Sequence, residues 1–216
     1  MTIMVNGSRR RKTDSKSSEE QSIMDTVNAG KAPQSHEDIK VAIKKGLIMV
    51  HTGEGKGKTT AGLGMVLRCL GRGYKVAIVQ FIKGKWIPGE LKALRTFGEQ
   101  VEYHAMGDGF TWETKNLEQD KTSARLAWDK CLELIRSKRH RLIFLDEINY
   151  VVHYGFLDAK EVIAGLKEKD PDTHILLTGR NAAEDLIKLA DLVTEMKPIK
   201  HPYRDQKIKA QPGIEF

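Results

Sequence analysis

Three glycines and three polar residues set the chemistry of one short stretch. In "MVHTGEGKGKTTAGLG" (Met49–Gly64), Gly53, Gly55 and Gly57 alternate ahead of Lys58, Thr59 and Thr60. Glycine at these positions lets the backbone curl so that successive N–H groups face a single anion. A helix opening at Lys58 adds the partial positive charge of its N-terminus, Lys58 neutralises phosphate oxygens, and the Thr59 hydroxyl suits Mg2+. An apolar strand, a glycine-rich turn and Lys-Thr-Thr at a helix start together define a triphosphate-binding loop. The spacing departs from the usual one. The position five residues before Gly57, ordinarily glycine, is Thr52, so the loop is one residue short and carries Lys56 as an extra cation. Glu54 also lies inside it, and a carboxylate there must point to solvent, to Mg2+ or to Lys56, or it would repel phosphates.

Two further stretches complete the candidate chemistry. "RLIFLDE" (Arg141–Glu147) is an apolar run ending in Asp146 and Glu147, the arrangement that presents an acid to Mg2+ opposite a phosphate-loop threonine. "GDGFTWETKN" (Gly107–Asn116) places Phe110 and Trp112 in a loop flanked by glycines and charges. Aromatics there either plug the hydrophobic core or offer a face to a flat ligand, and spacing alone slightly favours the plug.

Positioning these residues requires a sheet whose strands end at one edge. Short apolar runs ("GLIMVHT", "KVAIVQF", "VEYHAM", "RLIFLDE", "HILLTG", "LVTEM") alternate with amphipathic stretches at Lys58–Gly71, Glu90–Phe97, Leu117–Ser137, Ala159–Lys169 and Ala182–Ala190. That alternation predicts a three-layer α/β fold around a mostly parallel sheet of about six strands, buried on both faces. Residues 1–40 are polar and aperiodic, and are expected to form a disordered extension ahead of a domain spanning 41–216. The segment "KPIKHPYRDQKIKAQPGIEF" (Lys197–Phe216) holds three of the six prolines and is expected to run as an extended tail over the domain or its site.

Composition narrows the setting. The chain has 216 residues, 40% hydrophobic and 30% charged, with no apolar run long enough for a bilayer and no apolar block of a secretory signal. Cys69 and Cys131 lie far from any metal-ligand spacing, which suits two buried small hydrophobes in a reducing cytoplasm. The net charge of +7 invites a nucleic-acid reading, but residues 1–40 balance seven Lys/Arg with six Asp/Glu. The clear basic excess is Lys197, Lys200, Arg204, Lys207 and Lys209 against Asp205, which can serve a nucleotide or another anionic ligand.

From Gly46 to Phe216 the sequence closely resembles the ATP:corrinoid adenosyltransferases of the bacterial type that has a phosphate loop. The segments that carry the resemblance are "TGEGKGKTTAGLG", "VQFIKGKWIPGE", "GFTWETKN", "FLDEINYVVHYGFL", "LLTGR" and the C-terminal "KPIKHPYRDQKIKAQPGIEF". It implies a RecA-like fold, a homodimer, and transfer of the 5′-deoxyadenosyl group of MgATP to Co(I) of cobalamin or a cobinamide-type corrinoid reduced by a flavoprotein. Triphosphate would then be the leaving group, with ATP bound in reverse relative to ordinary phosphate-loop enzymes. It further implies that Gly53, Glu54, Gly55, Lys56, Gly57, Lys58, Thr59 and Thr60 cradle the triphosphate. Thr59 and Glu147 would hold Mg2+ with Asp146 nearby, Arg180 would contact the nucleotide, and Phe110 and Trp112 would close the lower face of the corrin ring. The competing readings are a RecA-like ATPase acting on nucleic acid, for which the chain offers no aromatic-and-basic strand-binding module, and a regulatory nucleotide-binding module. Neither gives "GFTWET" a task.

Overall fold

Successive residues of a strand point to opposite faces, and here each face has its own apolar layer. The computed structural model describes residues 44–82, 88–106 and 117–215. Six strands, β1 (Ile48–Thr52), β2 (Val76–Gln80), β3 (Val101–Ala105), β4 (Leu142–Asp146), β5 (His174–Thr178) and β6 (Leu192–Glu195), form one sheet in the order β3-β2-β4-β5-β1-β6. Every pairing is parallel. The helices in chain order are α1 (Lys58–Gly71), α2 (Gly89–Leu94), α3 (Leu117–Ser137), α4 (Ile148–His153), α5 (Ala159–Leu166), α6 (Glu184–Leu189) and α7 (Pro202–Gln206).

On β4, Leu142 and Phe144 join Val66 and Leu70 of α1 and Leu94 of α2 in one layer. Ile143 and Leu145 join Trp128, Cys131, Leu134 and Ile135 of α3, with Val162 and Leu166 of α5, in the other. Each fully buried side chain of this size contributes about 1.5–3 kcal/mol, so the central strands hold the domain together. The three-layer α/β reading is correct, and the sheet is wholly parallel.

The edges depart from the expectation of strands buried on both faces. All four residues of β6 are exposed and β3 is half-buried, because an edge strand has one strand neighbour and less helix above it. Helix bounds shift for local reasons. The stretch expected as Glu90–Phe97 is α2 followed by a 3-10 segment, Arg95–Gln100, broken at Gly98 with φ 53. The stretch expected from Ala182 starts two residues later, because Ala183 is extended (ψ 140) and stands as the N-cap, with the Ala182 N–H ahead of it donating to the Thr52 hydroxyl at 3.2 Å. Helix α4 is too short to show a period and was not legible as a helix. Cys131 is buried and Cys69 partly so, both free, as expected of small hydrophobes. Residues 1–40, Phe110 and Trp112 lie outside the described residues.

Helix α1 meets the sheet through Gly62, where an added Cβ would stand 2.6 Å from Phe144 Cζ and 2.9 Å from Leu176 Cδ2. Helix propensity alone would make Gly62→Ala stabilising by about 1 kcal/mol. Overpacking against β4 and β5 is expected to win, for a net loss of about 1–3 kcal/mol in urea unfolding. An unchanged or raised midpoint would show that α1 is not seated this closely.

Candidate active site

Parallel strands carry their ligand sites at their C-terminal ends, where crossovers diverge. Here β1 crosses through α1 to β2 on one side, while β5 crosses through α6 past β1 to β6 on the other. The ends of β1, β4 and β5 therefore face one crevice, and the Gly53–Thr60 loop fills its rim.

The loop is held from outside. The Met196 N–H, just past β6, donates to Thr52 O at 2.9 Å, and Gly55 N–H donates to Met196 O at 2.7 Å. A Cβ on Gly55 would come within 2.7 Å of Met196 O, and Gly53 and Gly57 have φ of +93° and +107°, so the glycine pattern is a steric requirement of this path. Gly57 stands at the N-cap of α1 and supplies no side-chain cap. The first-turn N–H groups of α1 are thus left for a ligand. Lys58 is buried, its Nζ donating to Gly53 O at 2.7 Å and Gly55 O at 2.6 Å. Burial lowers its pKa, while Glu147 opposes that effect.

A cavity of about 250 Å³ opens over the helix start, lined by Glu54 through Thr60, Glu147, Arg180, Ile214 and Glu215. Three cations converge on it, and each already has an acceptor. Lys58 has the loop carbonyls, Arg180 reaches Glu54 at 3.1 Å, and Lys56 is ion-paired with Glu215. Glu54 therefore points to Arg180, a partner that the sequence reading did not consider. Gly53 lies outside this cavity and borders a second one of about 350 Å³ with Thr52, Glu54, Asn181 and Ala182.

Asp146 ends β4, 3% exposed. Its Oδ1 accepts from the Thr59 hydroxyl at 2.9 Å and the Thr178 hydroxyl at 2.7 Å, and Oδ2 accepts from Gln80 Nε2 at 3.4 Å. Burial raises its pKa, and these donors partly offset the rise. Glu147 follows with φ 65°, a conformation that costs a non-glycine residue about 1 kcal/mol or more. Its N–H donates to the Thr178 hydroxyl at 3.0 Å. Burial, and then the Asp146 charge, push its carboxyl up to about 7, with Lys58 and Arg180 pulling it back. Two adjacent acids beside a hydroxyl form a hard-oxygen donor set that a divalent cation would relieve, so the residues fit Mg2+. Among the described residues no group of three or more His, Cys, Asp or Glu could hold a metal.

Sequence reasoning brought Lys56, Lys58, Thr59, Thr60, Glu147 and Arg180 to one cavity, with Asp146 beneath it. It missed Thr178, whose hydroxyl serves both acids, and Asn149, whose side-chain amide donates to Gly179 O at 3.2 Å and so fixes the β5 turn before Arg180. A polar residue ending the apolar run "HILLT" was the available signal for Thr178. Met196 and Glu215 had none.

A phosphate-type loop at the crevice of a parallel sheet, with acids on the neighbouring strand end, defines a P-loop nucleotide-binding α/β protein. The fold matches that of the flagellar accessory protein FlaH from Methanocaldococcus jannaschii with a TM-score of 0.51, at 13% identity over 76% of this chain and 78% of that one. Residues 44–216 match the family described as ATP:corrinoid adenosyltransferase BtuR/CobO/CobP. A corrinoid adenosyltransferase from Sinorhizobium sp is 46% identical across 89% of this chain and 99% of its own length. Those of Escherichia coli K12 (41%, 80% and 87%) and Salmonella typhimurium LT2 (39%, 91% and 95%) are also similar. The chain belongs to the ATP:corrinoid adenosyltransferase family.

The Glu147 carboxyl gives a pH test on the ligand-free protein. With a folded pKa of about 7 against an ordinary 4.5, the folded state binds more protons than the unfolded state between those values. Stability is therefore expected to fall as pH rises through that window. Urea midpoints measured from about pH 4.5 to about pH 7.5 should drop less for Glu147→Gln than for the parent chain. Parallel profiles would mean that the carboxyl is not held in this environment.

Proposed function

We propose that this chain transfers the 5′-deoxyadenosyl group of ATP to the Co(I) centre of a corrinoid, releasing inorganic triphosphate. The observation that carries the reading beyond nucleotide binding is family membership across residues 44–216, a span that includes both the phosphate loop and "GFTWET". The Co(I) electron pair forms the Co–C5′ bond, the C5′–O5′ bond breaks with its pair leaving on triphosphate, and cobalt ends as Co(III). No protein base is required, because the nucleophile is the substrate's metal.

The loop's task is then to hold the leaving group intact. The α1 N–H groups and Lys58 would stabilise charge as it gathers on the departing oxygen, with Lys56 and Arg180 turning from their internal partners to the polyphosphate. Mg2+, held by Thr59 with Glu147 and Asp146, would supply further neutralisation of the triphosphate. The shortened loop is suited to nucleotide held in reverse, sugar carbon outward. Phe110 and Trp112 are proposed to close the lower face of the corrin. Displacing the lower axial donor eases reduction to Co(I), because axial donors stabilise the oxidised metal. A flavoprotein is the proposed electron source. A homodimer is supported by the exposed Leu192 and Val193 on edge strand β6, and a cytoplasmic setting by the free thiols.

Anaerobic incubation with MgATP and chemically reduced cobalamin should yield the light-sensitive adenosylcobalamin spectrum with triphosphate as coproduct. ADP or orthophosphate with unalkylated corrinoid would defeat the proposal. Lys58→Ala is expected to lower the rate by on the order of 10²–10³-fold, read in the same assay. Trp112→Ala should slow turnover from Co(II) under a weak reductant more than turnover from pre-formed Co(I), and equal losses would assign Trp112 to packing alone.

A further inference from the structure

The cations that line the phosphate cavity differ in where their counter-charges come from. Lys58 is satisfied within the loop, and Arg180 pairs with the loop's own Glu54. Lys56 pairs with Glu215, a residue 159 positions away. Glu215 and its neighbour Ile214 also line the cavity itself. Among the described residues, the segment that brings them there takes its backbone hydrogen bonds to the rest of the domain at its start, where Met196 pairs with Thr52 and Gly55. Beyond that point it carries the helical turn α7, and residues 203–215 are exposed as whole residues, while the Glu215 side chain, turned to Lys56, is 19% exposed. A segment with so little buried surface opens at low free-energy cost.

We propose that Glu215 is a built-in competitor for polyphosphate: it occupies Lys56 in the ligand-free protein and must leave as triphosphate binds. This rests on the reading of the loop as a triphosphate site. The physical reason is charge. A carboxylate lining the cavity repels a polyanion bound there, and Lys56 cannot give its full charge to phosphate while paired. Exchange of one anion for the other keeps Lys56 neutralised throughout. The returning carboxylate also gives triphosphate, a product held by many donors, a competitor at the step where it must depart. Such release steps limit many enzymes.

The test is titration calorimetry of the full chain with inorganic triphosphate in magnesium buffer, comparing the parent with Glu215→Gln and Glu215→Asp. Removing a partly exposed ion pair and its repulsion should tighten binding by about three- to tenfold in the Gln variant. The Asp variant, with charge kept and reach shortened, should fall between. Raising the salt concentration should narrow the difference. Hydrogen exchange in residues 207–215 of the parent should speed up on adding triphosphate. Equal or weaker binding by Glu215→Gln, or slowed exchange in that segment, would overturn the proposal by making Glu215 neutral or a ligand-side contact. Failure of every form, parent included, to bind triphosphate would overturn the phosphate-site reading as well.

Discussion

The buried carboxylate of Asp146 is the constraint around which the site is arranged. A charge removed from water at the end of a strand is costly unless donors surround it. Here the donors come from three different elements: Thr59 on α1, Thr178 on β5 and Gln80 on β2. Satisfying Asp146 therefore fixes the start of α1 relative to β4 and β5. It also sets the distance between the phosphate loop and the acids that would share its cation. The pairing of β5 with β4 follows the same logic, since β5 must lie beside β4 for Thr178 to reach Asp146 and the Glu147 N–H.

Above that buried acid, the charges of the site are met from within the chain. Each cation has an acceptor supplied by the protein, while the N–H groups at the start of α1 have no side-chain cap. Cationic groups prepared for a polyanion would repel one another in its absence, and internal acceptors relieve that repulsion. Glu54 illustrates the point. Beside a phosphate it would be unfavourable, but opposite Arg180 it holds a flexible cation at the cavity rim. Glu147 carries the opposite tension, an acid raised to about 7 by burial and by its neighbour Asp146. The chain thus sets cations that are each met by an internal acceptor next to a carboxyl whose charged form is disfavoured by burial.

Much of this architecture was legible in the sequence because its causes are local. An uninterrupted apolar run such as Leu142–Leu145 marks a strand whose two faces are buried. Gly53, Gly55 and Gly57 before Lys58 mark a curled loop opening a helix from sequence alone. Boundaries failed where the backbone turned away from helical angles, as at extended Ala183 ahead of α6 and at Gly98 after α2. Edge strands β3 and β6 kept a strand-like sequence but lost their burial, a property set by position in the sheet.

By itself, then, the sequence determined the α/β class, the phosphate loop, the paired acids and the family to which the chain belongs. Only the tertiary structure decided which charges meet: Glu54 with Arg180, Lys56 with Glu215, and Asp146 with two threonines lying 87 and 32 positions away. Local patterns reflect the energetics of neighbouring residues along the chain. Ion pairs and buried hydrogen bonds depend on distances and desolvation that exist only once the strands have taken their order.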